Sequence, residues 1–94
     1  MAQFTIRVEL QNAEAKDYVT LTEILAQFNI TDTLMNETGV KYKMPQGEYQ
    51  CHSDLSTTEI RDIAAGGARV TNKEFGVLVT QSDGARAWLG LPTA

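Results

Sequence analysis

An α+β sandwich, with two helices on one face of an antiparallel sheet, is what this 94-residue sequence predicts, and three observations predict it. Phe4, Ile6, Val8 and Leu10 alternate with Thr5, Arg7 and Glu9, the period of two expected of a half-buried strand. Tyr18, Leu21, Leu25 and Phe28 then recur at helical spacing, with Ile24 widening the apolar stripe. Late in the chain, Ser56 is followed three residues on by Glu59, so that the hydroxyl and the carboxylate can each meet the other's backbone N–H in a capping box. With the extended segments between and after, the order is strand, helix, strand, strand, helix, strand. That is the ferredoxin-like βαββαβ arrangement. One domain over residues 1–94 accommodates it.

Each element has its own local warrant. Gln11 to Lys16 is a polar connector, and Asn29 terminates the first helix. Ile30 to Met35 is expected as the second strand, and Asn36-Glu37-Thr38-Gly39 as a turn or bulge whose glycine supplies a positive φ. Val40, Tyr42 and Met44 alternate with Lys41 and Lys43, Pro45-Gln46-Gly47 turns the chain, and Glu48 to His52 is the next strand. The capped helix carries Ile60, Ile63 and Ala64 on one face. Gly66-Gly67 is expected to weaken or end it, at about 1 kcal/mol per glycine, and to let the helix approach the sheet closely. Phe75, Val77 and Val79 mark a further strand, and Ser82-Asp83-Gly84 a turn. The sheet then has four strands, or five if Arg86 to Leu91 returns as a short C-terminal one.

The composition narrows the function classes. Eight Lys+Arg against twelve Asp+Glu give a net charge of −4, which disfavours nucleic-acid binding by bulk electrostatics and leaves only local basic positions for phosphate contacts. The single cysteine, Cys51, excludes an intramolecular disulfide scaffold. No apolar run approaches the ~20 residues that span a bilayer, and no basic segment leads into an apolar core at the N-terminus. A cytoplasmic location is expected.

No nucleophile elbow, phosphate-binding loop or dinucleotide fingerprint occurs. His52 and Cys51 are adjacent on a strand and point to opposite faces, so they do not form a metal pair; no metal ligand set is expected. Glu9 and Asp17 are the carboxylates expected at one end of the sheet, where they are candidate catalytic groups for phosphodiester cleavage. No cofactor is called for, Mg²⁺ being the one ion such carboxylates admit. Arg7, Lys41 and Lys43 occupy out-facing strand positions and form a candidate RNA-binding stripe; the same charges protect an exposed strand from edge-to-edge pairing. Trp88 and Arg86 are candidate interface residues of a homodimer, since aromatic anchors are enriched at interfaces. Trp88 capping the chain's own core is the competing reading.

The segment from Met35 to Ile63 resembles the GhoS family of small antitoxin endoribonucleases. The residues that carry the likeness are Asn36-Glu37-Thr38-Gly39-Val40, Met44-Pro45 and Ser56-Thr57-Thr58-Glu59-Ile60-Arg61-Asp62-Ile63. The resemblance implies a ferredoxin-like fold similar to that of the CRISPR adaptation nuclease Cas2. It also implies cleavage of the messenger RNA of a small membrane toxin, as in a type V toxin–antitoxin system. No catalytic residue is carried over by it. The alternative expectation is a non-catalytic module of phage or mobile-element type, whose carboxylates stand in for phosphates and inhibit a nucleic-acid-handling defence machine. The partner is then a protein target instead of RNA.

Overall fold

The computed structural model describes all 94 residues. The first strand, β1 (Ala2–Leu10), lies at the centre of a three-stranded antiparallel sheet, between β4 (Glu48–Ser53) and β5 (Phe75–Ser82). Helices α1 (Ala15–Ala26) and α2 (Thr57–Val70) cover one face of it. The remaining strands, β2 (Thr33–Met35) and β3 (Lys41–Lys43), form a separate antiparallel hairpin. The fold is ferredoxin-like α+β with five strands.

The strand periodicity sorts the sheet into two faces. Phe4, Ile6, Val8 and Leu10 are buried under the helices with Tyr49 and Cys51 of β4, and Leu21, Leu25, Ile60, Ala64 and Ala68 meet them from α1 and α2. Each large aliphatic side chain buried in this way contributes about 1.5–3 kcal/mol. The α2 capping box forms as expected: Glu59 N–H donates to Ser56 Oγ at 3.1 Å, and Ser56 N–H to Glu59 Oε1 at 3.0 Å.

Four expectations are corrected. Gly66-Gly67 does not end α2, which runs through to Val70. Gly67 instead admits α1: a Cβ there would stand 3.2 Å from Leu25 Cδ2 and 3.4 Å from side-chain atoms of Ile24 and Leu21. The close approach is thus helix to helix. Phe28 leaves the apolar stripe and is 54% exposed, because α1 ends at Ala26 and Asn29 adopts φ +60°. That left-handed residue redirects the chain so that Ile30 enters the core in its place. The segment 30–35 is not one strand. Thr31 bridges Gln50 on the free edge of β4, and the chain then leaves the sheet to pair with β3. Gln50 Nε2 donates to Thr33 O at 3.0 Å, taking the acceptor that a longer β2 would offer to the β4 backbone. Finally, residues 86–91 form no strand; the C-terminal pairing is a single bridge between Thr93 and Tyr42.

Candidate functional site

The face of the sheet opposite the helices is polar, and its order follows from the strand register. Gln3 of β1 lies between Ser82 of β5 and His52 of β4, Thr5 between Thr80 and Gln50, and Arg7 between Leu78 and Glu48. Glu9 stands opposite Gly76 at the far end. Residues paired side by side in a sheet share a face, so these side chains form a grid of hydroxyls, amides and charges.

The C-terminal segment crosses this grid. Ser82 and Asp83 fix the turn, accepting from the Gly84 and Ala85 N–H groups, each at 2.9 Å. Arg86 then reaches back over β1. Its guanidinium donates to Thr5 Oγ1 at 3.0 Å through Nη2 and 3.3 Å through Nε, to Phe4 O at 3.1 Å and to Gln3 Oε1 at 3.3 Å. All these acceptors are neutral. Neither Arg86 nor Arg7 makes an ion pair, although Glu48 stands opposite Arg7 in the sheet and Glu37 shares a groove with Arg86. Beyond Arg86, Trp88 packs against Tyr42 with ring centroids 5.8 Å apart and planes inclined at 56°, within the tilted geometry that aromatic pairs favour. Lys43 N–H donates to Pro92 O at 2.8 Å and Ala94 N–H to Lys41 O at 3.0 Å, which ties the chain end to the hairpin.

A groove of about 530 Å³ opens between this strap and the β2–β3 hairpin. Its chemistry-bearing walls are Gln3, Gln50, His52, Glu37, Arg86 and Trp88. It unites the chain's one imidazole, a guanidinium that makes no ion pair and its one indole. A second cleft, of about 520 Å³, lies between α1 and the hairpin and includes Tyr18, Thr22, Asp32, Lys43 and Tyr49. There Thr22 and Tyr49 share a hydroxyl hydrogen bond of 2.9 Å. Burial pushes the Tyr49 phenol above its ordinary value against the opposing effect of that bond, and the Asp32 carboxylate adds to the rise.

The residues singled out from sequence are distributed unevenly. Glu9 and Asp17 both stand near the C-terminal end of β1, but on opposite sides of the sheet. Glu9 belongs to the open face, whereas Asp17 sits on α1. The Asp17 carboxylate accepts from Glu14 N–H at 2.9 Å and lies 4.0 Å from Lys73 Nζ, so it is engaged in starting the helix. The two do not form one site. Arg7 lies on the open face, while Lys41 and Lys43 belong to the separate hairpin, with Lys43 Nζ 3.8 Å from Asp32 in the second cleft. The three bases therefore do not share a sheet. Trp88 and Arg86 make their contacts within the chain. Nowhere do three His, Cys, Asp or Glu side chains converge in a metal-ligating group.

The sequence sets His52 apart from Cys51 but identifies no partner that would make it a general base. The signal available was the alternation itself, since burial of Cys51 on the helix side obliges His52 to the other. What brings Arg86 and Trp88 beside it is the return of the C-terminal segment, which no local pattern announces. No protein-family model matches the chain, and no curated protein matches it. No helix is long and apolar enough to cross a membrane.

Proposed function

We propose that this chain binds single-stranded RNA on the open face of its sheet and cleaves it there, acting as an antitoxin on the messenger RNA of a small membrane toxin. The observation that carries the reading is the groove in which His52, Arg86 and Trp88 meet on the polar open face. The likeness of Met35–Ile63 to the GhoS family supports the choice of RNA and of the toxin message. An open sheet flanked by aromatic rings suits unpaired bases, which stack on aromatic side chains and hydrogen-bond through their edges. Trp88 offers the ring, and Gln3 Nε2 and Gln50 Oε1, the amide atoms left free by the bonds within the chain, read base edges.

Histidine is the side chain that both takes and gives a proton near neutrality. In this reading His52 removes the proton of a ribose 2′-hydroxyl and the 2′-oxygen attacks the adjacent phosphorus. The 5′-oxygen leaves with a proton from solvent, and the product is a cyclic 2′,3′-phosphate. Arg86, already oriented by four hydrogen bonds, stabilises the charge that builds on the phosphoryl oxygens. Arg7 lies two rows along β1, about 13 Å from the Gln3–His52 row at the usual rise of a strand, and contacts a neighbouring phosphate. Glu9 stands about 20 Å from that row by the same measure, too far to act on the same phosphodiester.

The test is incubation of the purified chain with RNA carrying the toxin message. His52→Ala is expected to lower the cleavage rate at least about a hundred-fold with binding retained. Arg7→Gln is expected to weaken binding several-fold and lower its salt dependence by about one phosphate contact. Uncleaved RNA with the wild-type chain, or undiminished cleavage by His52→Ala, overturns the catalytic reading. Recovery of a stoichiometric protein partner with no RNA from the native host would favour the inhibitor instead.

A further inference from the structure

The two edges of the three-stranded sheet are treated differently by the chain. On the β4 side, Thr31 and Gln50 exchange backbone hydrogen bonds of 3.0 and 2.8 Å, and the Gln50 amide adds bonds to Thr31 Oγ1 and Thr33 O. That edge is capped at its middle from within the chain. On the other side β5 pairs with β1 alone, and no other strand lies against it. In an antiparallel pair only alternate residues direct their N–H and C=O groups at a given neighbour. The other half of the eight β5 residues therefore offers its backbone groups outward.

Exposed edges are normally blunted by charge, proline, a bulge or shortness. Here the strand is Phe-Gly-Val-Leu-Val-Thr-Gln-Ser, eight residues without a charge or a proline. Its register with β1 is uninterrupted from Gln3↔Ser82 to Leu10↔Phe75, so no bulge twists it away. Leu78, at its middle, faces the open side and is 63% exposed. In a chain whose net charge is −4, β5 is the one strand of the three-stranded sheet without a charged residue, and it can lie against a copy of itself without opposing like charges.

We propose that β5 is the contact between two copies of this chain, paired antiparallel about a two-fold axis perpendicular to the sheet. The symmetry restricts the register. Directly opposed residues in an antiparallel pair share a face, so the axis must pass beside a single residue of β5, not between two. Centring on Leu78 sets the two exposed leucines against each other, Gly76 against Thr80 and Val77 against Val79. The six strands then form one sheet with all four helices on one side and both open faces on the other. Unlike the expectation from sequence, the contact uses neither Arg86 nor Trp88, which line the groove beside the β2–β3 hairpin and not the β5 edge. The inference is independent of the proposed RNA cleavage.

Light scattering at tens of micromolar and concentration-dependent hydrogen exchange test it together. The full chain is expected at twice its 10.4 kDa mass, and Leu78→Lys, which opposes two cations at the axis, at the single-chain mass with unchanged circular dichroism. Among the β5 amides, the set bonded to β1 is expected to be protected at every concentration, and the alternate set only as the dimer forms. A single-chain mass for the wild type, a dimer unaffected by Leu78→Lys, or an alternate set that exchanges equally fast at all concentrations overturns the proposal. The exchange measurement needs no variant, so a misfolded Leu78→Lys chain leaves the proposal open to refutation.

Discussion

Neighbouring residues can carry opposite constraints, as Gly66 and Gly67 do within one turn of α2. A Cβ at Gly66 would meet nothing within 4 Å, while one at Gly67 would press on three side chains of α1. Gly66→Ala is therefore expected to stabilise the chain by about 1 kcal/mol through helix propensity. Gly67→Ala should forfeit that gain to crowding, so urea denaturation is expected to rank Gly66→Ala above Gly67→Ala; equal midpoints would show that α1 yields without cost. The buried acids give a second prediction. Burial pushes the Cys51 thiol above its ordinary 9.0, against the opposing Arg86 guanidinium, and pushes the Tyr49 phenol above 10.0. At alkaline pH the unfolded chain gives up these protons before the folded one does. Their contribution to stability is thus complete below the ordinary values and is lost as pH rises through the raised ones. Stability is expected to hold up to pH ~9 and to fall as pH rises beyond it, less steeply in Cys51→Ala. Identical pH profiles for the two chains would remove the thiol from the account.

At the scale of elements, caps and turns decide where each segment stops. Ser56 supplies the acceptor for an otherwise unpaired N–H at the start of α2, so Ser56→Ala is expected to cost about 1 kcal/mol in equilibrium unfolding. Retained stability would mean that water replaces the hydroxyl fully. The turn before β4 is held more firmly. Gly47 has φ +83° and its position leaves only 2.5 Å between a built Cβ and Val8 O, while its own carbonyl accepts from Val8 N–H at 2.7 Å. Gly47→Ala must move β1 or break that bond, and a loss exceeding 2 kcal/mol, roughly the sum of a strained left-handed residue and a lost hydrogen bond, is expected by thermal denaturation.

Over the whole molecule, one side chain holds the C-terminal twelve residues on the sheet. Arg86 bonds to residues 81 to 83 positions earlier in the chain, and the segment behind it closes both clefts. Arg86→Ala is expected to cost about 1–3 kcal/mol, in line with the loss of hydrogen bonds to a charged group. It should also expose residues beyond Ser82 to limited proteolysis while the helices and β1 stay protected. A cleavage pattern unchanged from wild type would assign the hold on the strap to Trp88 and the Lys43–Pro92 bond instead.

Sequence alone determined the α+β class, the ferredoxin-like alternation of strands with two helices, the faces of β1 and β4, and the start of α2. Those features rest on interactions between near neighbours: a period of two, a period near four, and a serine three residues from a glutamate. It also determined that Cys51 and His52 part to opposite faces. Only the tertiary structure decided the fate of Gly67, Phe28 and the second strand, because each depends on what packs alongside. Leu25 turns a helix-breaking glycine into a contact with α1, Ile30 displaces Phe28 from the core, and the Gln50 amide takes the Thr33 carbonyl. The candidate site was divided in the same way. Arg7, Glu9, Arg86 and Trp88 were each visible as residues, but Glu9 and Asp17 were parted by the sheet between them. His52, Arg86 and Trp88 were gathered by a C-terminal return across the open face. The reason is range: contacts between segments more than eighty residues apart, such as Arg86 to Thr5, are set by the packing of the whole chain, and no local spacing encodes them.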